Sequence, residues 1–310
     1  MSKPFRFTVQ ASHLAAPEDV VPIARKCEDI GVSVLTVADH VDDQLAPIAA
    51  LMAVADRTTV LRVGSLVLAN DYRHPAILAK EMATIDRLSG GRLEFGLGAG
   101  WMTSDYDSTG LALDRPGLRI ERLEESLEII SGLWSDQPVD FTGSHYRITA
   151  LDGQPKPLQK PRPPIIVGGG GRRVLELAGR QADIVALNPS LRAGVIDARA
   201  GTSATWESTE EKIGWVRTAA GERFANLELA TRIHLAAVTS ERDGLYEGLA
   251  EGFGMTAAQA RRTPHALVGT VDQIIDDLLE RRDGLGISNI GISAGSLDEL
   301  RPVIEALAGT

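Results

Sequence analysis

The stretch "PIIVGGGGRRVLELAGRQADIVALNPS", Pro164 to Ser190, holds one complete repeat of the chain's architecture. A short apolar run reaches Val167 with no charged side chain, which suits a strand buried on both faces. Four glycines, Gly168 to Gly171, close that run and open "RRVLELAGRQA", which reads as a helix. A second apolar run, "DIVALNPS", follows. Strand, turn, helix and strand in that order form the unit of a parallel sheet.

The same rhythm continues outward in both directions. "FRFTVQA" precedes the helix "PEDVVPIARKCEDIG", with Pro17 near its start and Gly31 placed to end it. "VSVLTVADH" precedes "PIAALMAVADRT", and "LRVGSLVLAN" precedes "HPAILAKEMATIDRLSGG". "RLEFGLGAG" leads through a loop to "LRIERLEESLEIISGLW", where Ile120, Leu123, Leu127 and Ile130 keep helical spacing. The rhythm breaks at 135–163: "FTGSHYRITA" reads as a hairpin, and "PKPLQKPRPP" is too rich in proline for a helix or central strand. Residues 191–208 read as a loop insertion. A helix around "EEKIGWVRTAAG", the strand "LELATRIHLAAV", a helical region at 245–262, the helix "TVDQIIDDLLERRDGLG", the strand "ISNIGISA" and a final helix complete the chain.

These eight strands, each followed by a helix and unbroken by any shift in composition, predict one (β/α)8 TIM barrel domain spanning 1–310. Loop insertions are expected at the C-terminal face of the barrel. An open doubly wound sheet is the competing arrangement. It lacks its usual glycine fingerprint, because "QASHLAAPED" after strand 1 contains no glycine.

A net charge of −10 speaks against general nucleic-acid binding and against anionic membrane surfaces. Cys27 is the single cysteine, so no internal disulfide forms. It sits on the stripe Val20, Ile23, Ala24, Cys27, Ile30 and reads as a core residue. "MSKPFRFTVQA" has no long apolar run of the signal-peptide type, and no segment is apolar over a membrane-spanning length. A cytoplasmic enzyme acting on a small molecule, with no nucleic-acid or membrane partner, is the expectation.

Barrel enzymes place their sites at the C-terminal ends of the strands. Those ends carry Gln10, Ser12 and His13, then Asp39 and His40, then Asn70 and Asp71, "GLGAGW", "VGGGGRR" and Asn188, while Arg232 and His234 fall near the middle of strand 7. The "VGGGGRR" turn allows two readings: a tight turn with positive φ, or backbone N–H groups approaching an anion at a helix N-terminus. Gly96, Gly98 and Gly100 leave one face of their strand bare, either for a flat ring or for neighbouring strands. His40 is either a satisfied strand-end histidine or a general acid/base. His13, His74, His145 and His265 read as surface or capping residues. No metal-ligand spacing and no nucleophile elbow is present, so no metal site is expected.

Three stretches carry a resemblance: "VADH", "VGSLVLANDYRHPAILAKEMATIDRLSGGRLEFGLGAGW" and "PPIIVGGGGRRVLELAGRQADIV". They resemble the luciferase-like monooxygenase superfamily and, within it, the F420-dependent oxidoreductases. The likeness runs from strand 1 to about residue 190 and resumes at "HALVGTVDQIIDDLLERRDGLGIS". It implies F420 as cofactor, with FMN as the alternative, bound at the barrel mouth, and a homodimer is expected. By resemblance, His40 is the catalytic acid/base and Asp39 contacts the cofactor. Leu66 and Val67, joined by a cis peptide, form a bulge behind the ring. Ala69, Ala99, Gly100 and Ser104 line the ring and ribityl chain; Gly170, Gly171, Arg173 and Val174 hold the chain and phosphate region. Sugar-phosphate dehydrogenases of the family carry a glutamate where this chain has Trp101, which argues against that substrate. The reading is hydride transfer between F420 and a small organic substrate. An FMN-dependent two-component monooxygenase and a non-catalytic flavin-binding barrel are the alternatives. Arg73, Arg172, Arg173 and Arg232 are the candidates for a basic groove that would take the anionic tail of F420.

Overall fold

The computed structural model describes residues 3–11, 19–191 and 198–310. Ser12, His13 and Pro17 lie outside the described residues. From the N-terminus, β1 (Arg6–Gln10) leads to α1 (Val20–Asp29), β2 (Val34–Val37) to α2 (Pro47–Arg57), and β3 (Arg62–Ser65) with β4 (Leu68–Ala69) to α3 (Pro75–Leu88). β5 (Leu93–Gly98) is followed by α4 (Thr103–Thr109) and α5 (Pro116–Leu133), then by β6 (Val139–Thr142) and β7 (Arg147–Leu151). Next come β8 (Ile165–Gly169), α6 (Arg172–Gln181), β9 (Ile184–Leu187), α7 (Ala198–Gly201) and α8 (Trp206–Ala220). β10 (Glu228–Arg232), β11 (Leu235–Val238), α9 (Arg242–Phe253), α10 (Ala257–Arg262), β12 (Ala266–Gly269), α11 (Val271–Leu285), β13 (Ile287–Ser293) and α12 (Arg301–Leu307) complete it.

β1, β2, β3, β5, β8, β9, β10 and β13 run parallel around a closed ring, with β3 pairing β5 and β1 pairing β13. This is the TIM barrel expected from the alternating runs. Outward-facing Phe7, Val9, Leu35, Phe95, Leu97 and Ile290 are buried under the helices. Inside the ring, Ile166, Ile184, Ala186 and Ala230 pack with Leu66.

Below that apolar layer the barrel base is charged. Arg6 pairs with Glu94 and, at 2.9 Å, with Glu228. Arg62 Nε reaches the same Glu94 at 2.6 Å, and Asn289 donates to Glu228 at 2.5 Å. Side chains alternate along a strand, so Glu228, Ala230 and Arg232 share the inner face of β10. Arg232 therefore stands at the mouth, two inward positions above the base.

Four details differ from the sequence reading. The third strand is broken into β3 and β4, and the peptide between Leu66 and Val67 is cis, as the resemblance implied. The seventh strand is likewise two elements: β10 ends at Arg232, and β11 turns out of the ring to pair with β12. Arg232 is thus a strand-end residue and not a mid-strand one. The β12 run "ALVG" was not read as a strand, because a buried run that short has no periodicity to separate it from loop or helix. The segment 191–208 holds α7 and the start of α8, with 192–197 outside the described residues. The hairpin β6–β7 is antiparallel as expected, and Cys27 is buried in α1. No helix among the described residues is long and apolar enough to cross a membrane.

Candidate active site

The strand ends of β2, β4 and β5 converge through their side chains. Asp39 is buried and accepts the backbone N–H of Ala69 at 3.1 Å. Arg73, two residues before α3, grips the same carboxylate with two donors at 2.5 and 3.2 Å. That fork holds the end of β2 against the end of β4. His40, the next residue, turns the other way. Its Nδ1 lies 2.7 Å from Asp105 Oδ2, and its ring meets Trp101 edge-to-face with centroids 5.9 Å apart. Tyr72 also donates its hydroxyl to Asp105, at 3.2 Å. Burial, with the negative charge of Asp105 beside it, pushes the Tyr72 phenol well above its usual range, so it stays a donor.

α4 is what delivers Asp105. The chain leaves β5 through Gly100, in the left-handed region at φ +73, and a Cβ there would collide with the Tyr106 hydroxyl. That hydroxyl bonds Asp71 at 3.1 Å, and Arg122 forks onto Asp71 with both contacts at 2.9 Å. Arg119 donates to the carbonyls of Ala99 and Gly100. The turn after β5 is therefore pinned from two sides. Asp105 is buried while Asp107, two residues on, is exposed.

The glycines of β5 turn out to be occupied from within. A Cβ on Gly96 would run into the Ser65 carbonyl, and one on Gly98 would lie 2.7 Å from Val67 Cγ2. The bare face seen in the sequence is the seat of the β3–β4 bulge. The glycine-rich turn after β8 is mixed. Gly170 packs on the backbone of Asn188 and Pro189 and Gly169 on Val174, while Gly171, at the N-terminus of α6, has open space around it. None of the four has positive φ, so the tight-turn reading is set aside.

Of the residues expected at the site, Asp39, His40, Leu66, Ala69, Ala99 and Gly100 all lie at the strand ends on one side of the mouth. Leu66 points into the ring, and Val67 backs onto β5. Ser104 is exposed on α4. Gly170, Gly171, Arg173 and Val174 gather where α6 begins, beside α5, since Arg173 reaches Glu121 at 3.0 Å. The four arginines proposed for a basic groove are not equivalent. Arg73 is committed to Asp39, Arg172 to Glu176 at 2.7 Å and Arg173 to Glu121. Arg232 pairs with no carboxylate among the described residues, and its Nη1 is buried without a hydrogen bond. Burial lowers its basicity. Gln10 Oε1, at the end of β1, is buried and also without a partner among the described residues. These two polar atoms at the strand ends fit a bound group with donors and acceptors along its edge. His74 caps α3, as expected, by accepting from Ala76 N–H at 3.3 Å. His265 does not lie at the surface: it is buried behind β10, with Nδ1 2.9 Å from the Arg232 carbonyl. Burial pulls it down to about 3.

Asp105 and Tyr72 were not singled out from the sequence. "TSDYDST" offers two acids on opposite sides of a short helix, and only packing selects one of them.

Comparison with known proteins agrees with this geometry. Residues 2–209 match the model of the luciferase-like monooxygenase family, and the chain belongs to that family. It is 29% identical over 259 residues to the FMNH(2)-dependent dimethylsulfone monooxygenase of Pseudomonas putida, covering 82% of this chain and 68% of that one. It is 32% identical over 175 residues to the F420-dependent glucose-6-phosphate dehydrogenase of Amycolatopsis mediterranei, covering 54% of this chain and 52% of the relative. The chain thus spans about half the length of that dehydrogenase. The coenzyme F420-dependent tetrahydromethanopterin reductase of Methanopyrus kandleri superposes with a TM-score of 0.77 at 16% identity, over 99% of this chain and 98% of that one, which establishes the shared fold.

Proposed function

We propose that the chain is an F420-dependent oxidoreductase that moves a hydride between the deazaflavin and a small organic substrate. The observation that carries this reading is His40, held at the mouth by a buried carboxylate 2.7 Å from its Nδ1. Hydride transfer to or from a neutral carbon leaves a proton to be matched, and an imidazole at a strand end suits that task near neutral pH. F420, when bound, supplies a carbon centre that exchanges hydride and does not readily activate oxygen. The inward-facing Leu66 offers an apolar surface for a flat ring. Arg232 and Gln10 offer unsatisfied polar atoms for its edge, and the open Gly171 offers the N-terminus of α6 to an anion, with Arg173 beside it paired to Glu121. Trp101 walls His40 and cannot exchange a proton, which disfavours sugar-phosphate oxidation. We extend the proposal to a single catalytic domain working as a homodimer in the cytoplasm.

A second reading, an FMN-dependent two-component monooxygenase, is favoured by the dimethylsulfone monooxygenase, whose similarity spans the larger share of the chain. Fluorescence titration with FMN and with F420 in both redox states, followed by oxygen-consumption assays, separates the two. Tight F420 binding with no oxygen uptake and with reduction of 2-cyclohexenone, which accepts one hydride and one proton, is the expected result. Preference for FMN with oxygen uptake would replace the first reading by the second.

A further inference from the structure

The acids around the mouth are neutralised in two ways. Asp39 is held by Arg73, and Asp71 and Asp114 are both held by Arg122. Asp105, buried like Asp39, pairs with no arginine or lysine among the described residues; its side-chain partners are His40 and the Tyr72 hydroxyl. An ionised carboxylate has only acceptor oxygens. At 2.7 Å the imidazole must therefore donate from Nδ1. In the neutral ring Nε2 then keeps the lone pair, and in the imidazolium it carries the second proton.

We propose that Asp105 is a positioning residue: it fixes His40 in the Nδ1–H tautomer so that Nε2 is the nitrogen that exchanges the proton. This deepens the proposed role of His40 and rests on it. The local structure is built to keep the pair in register. Gly100, clamped between the Arg119 guanidinium and Tyr106, sets where α4 starts, and Tyr106 in turn is tied to Asp71. Trp101 restrains the tilt of the imidazole from its other side. Tyr72 supplies a second donor to the same Asp105 oxygen, so the carboxylate stays oriented when His40 is neutral.

Histidine nitrogen NMR on the 15N-labelled, cofactor-free protein reads the tautomer directly, with His40→Gln assigning the signal. The wild type is expected to show Nδ1–H. Asp105→Asn and Asp105→Ala are expected to shift the population toward Nε2–H, the form imidazole adopts when nothing holds it. In single-turnover reduction of 2-cyclohexenone by reduced F420, Asp105→Asn should slow the chemical step about 100-fold or more, the scale of a mis-set tautomer, with KM little changed. Asp105→Glu should recover part of the rate. Placed on top of His40→Gln, Asp105→Asn should add almost nothing, because its effect runs through the imidazole. An Nε2–H wild type overturns the proposal, as does a wild-type rate in a variant whose tautomer has switched. An equal loss from Asp105→Asn with or without His40 would make its role merely structural and also overturn it. A wild-type rate in His40→Gln would instead remove His40 from proton transfer, and the positioning role would fall with it. A slow His40→Gln beside a fast Asp105→Asn overturns the positioning role alone.

Discussion

The two ends of the barrel interior handle charge in opposite ways. At the base, Arg6 and Arg62 face Glu94 and Glu228 across the ring, and each of these four groups has an opposite charge within reach, although Glu94 Oε2 is itself buried without a hydrogen bond. At the mouth, on the same inward face of β10, Arg232 has no carboxylate partner among the described residues, and Gln10 leaves an oxygen unsatisfied among them. Desolvating a cation without a partner costs several kcal/mol in principle. A fold that closes its base with matched ions could do the same at its mouth. The difference in charge pairing sets the base apart as a plug, and under the proposed function a bound molecule completes the hydrogen bonding at the mouth.

The largest test of that contrast lies at His40. If the mouth is a reaction site, His40→Gln should cost about 10²–10⁴-fold in single-turnover hydride transfer at saturating cofactor, while urea unfolding shifts little. A wild-type rate would reduce the mouth to a binding surface. The base should respond the other way. Glu94 is nearly fully buried and serves two arginines that are each about a quarter exposed or less. Glu94→Ala should therefore destabilise the protein by about 3 kcal/mol, at the lower end of what breaking a buried pair costs, as measured by the urea midpoint at constant slope. A loss in cofactor affinity without a loss in stability would break the comparison.

His265 offers a control outside the ring. Its pKa is lowered to about 3 by burial, so between pH 6.5 and about 3 the unfolded chain binds a proton that the folded chain refuses. Stability should therefore fall with decreasing pH across that window, by at most about 1.4 kcal/mol per pH unit from this group. His265→Phe should flatten the slope there and leave stability above pH 6.5 free of this term. The smallest expected loss of stability is at the mouth itself. Arg232→Met removes a buried charge together with its desolvation cost, so the variant should be at least as stable as the wild type. It should weaken cofactor or substrate binding about tenfold or more and reduce the salt dependence of that binding. A large loss of stability in this variant would mean that Arg232 belongs with the plug.

How much of this was legible beforehand follows the range of each interaction. The barrel was legible, because burial on both faces of parallel strands writes apolar runs of strand length, and amphipathic helices write a separate period between them. His40 and Asp39 were visible because a polar pair at the end of an apolar run has a position in the fold once the barrel is assumed. The resemblance added the cis peptide at Leu66–Val67. It did not show that the bulge itself fills the glycine face of β5, since that packing joins residues about thirty positions apart.

The sequence by itself determined the alternation of strands and helices, the side of the barrel where chemistry belongs and the identity of the imidazole. Tertiary structure alone decided that Asp105 and not Asp107 meets that imidazole, that three of the four mouth arginines are already spoken for, and that Arg232 ends its strand facing inward with no carboxylate partner among the described residues. The physical reason is that secondary structure is set by near neighbours and periodic burial. The charge state and hydrogen-bond role of a side chain are set by whichever groups the closed ring brings within about 3 Å, and the order of residues along the chain does not record that distance.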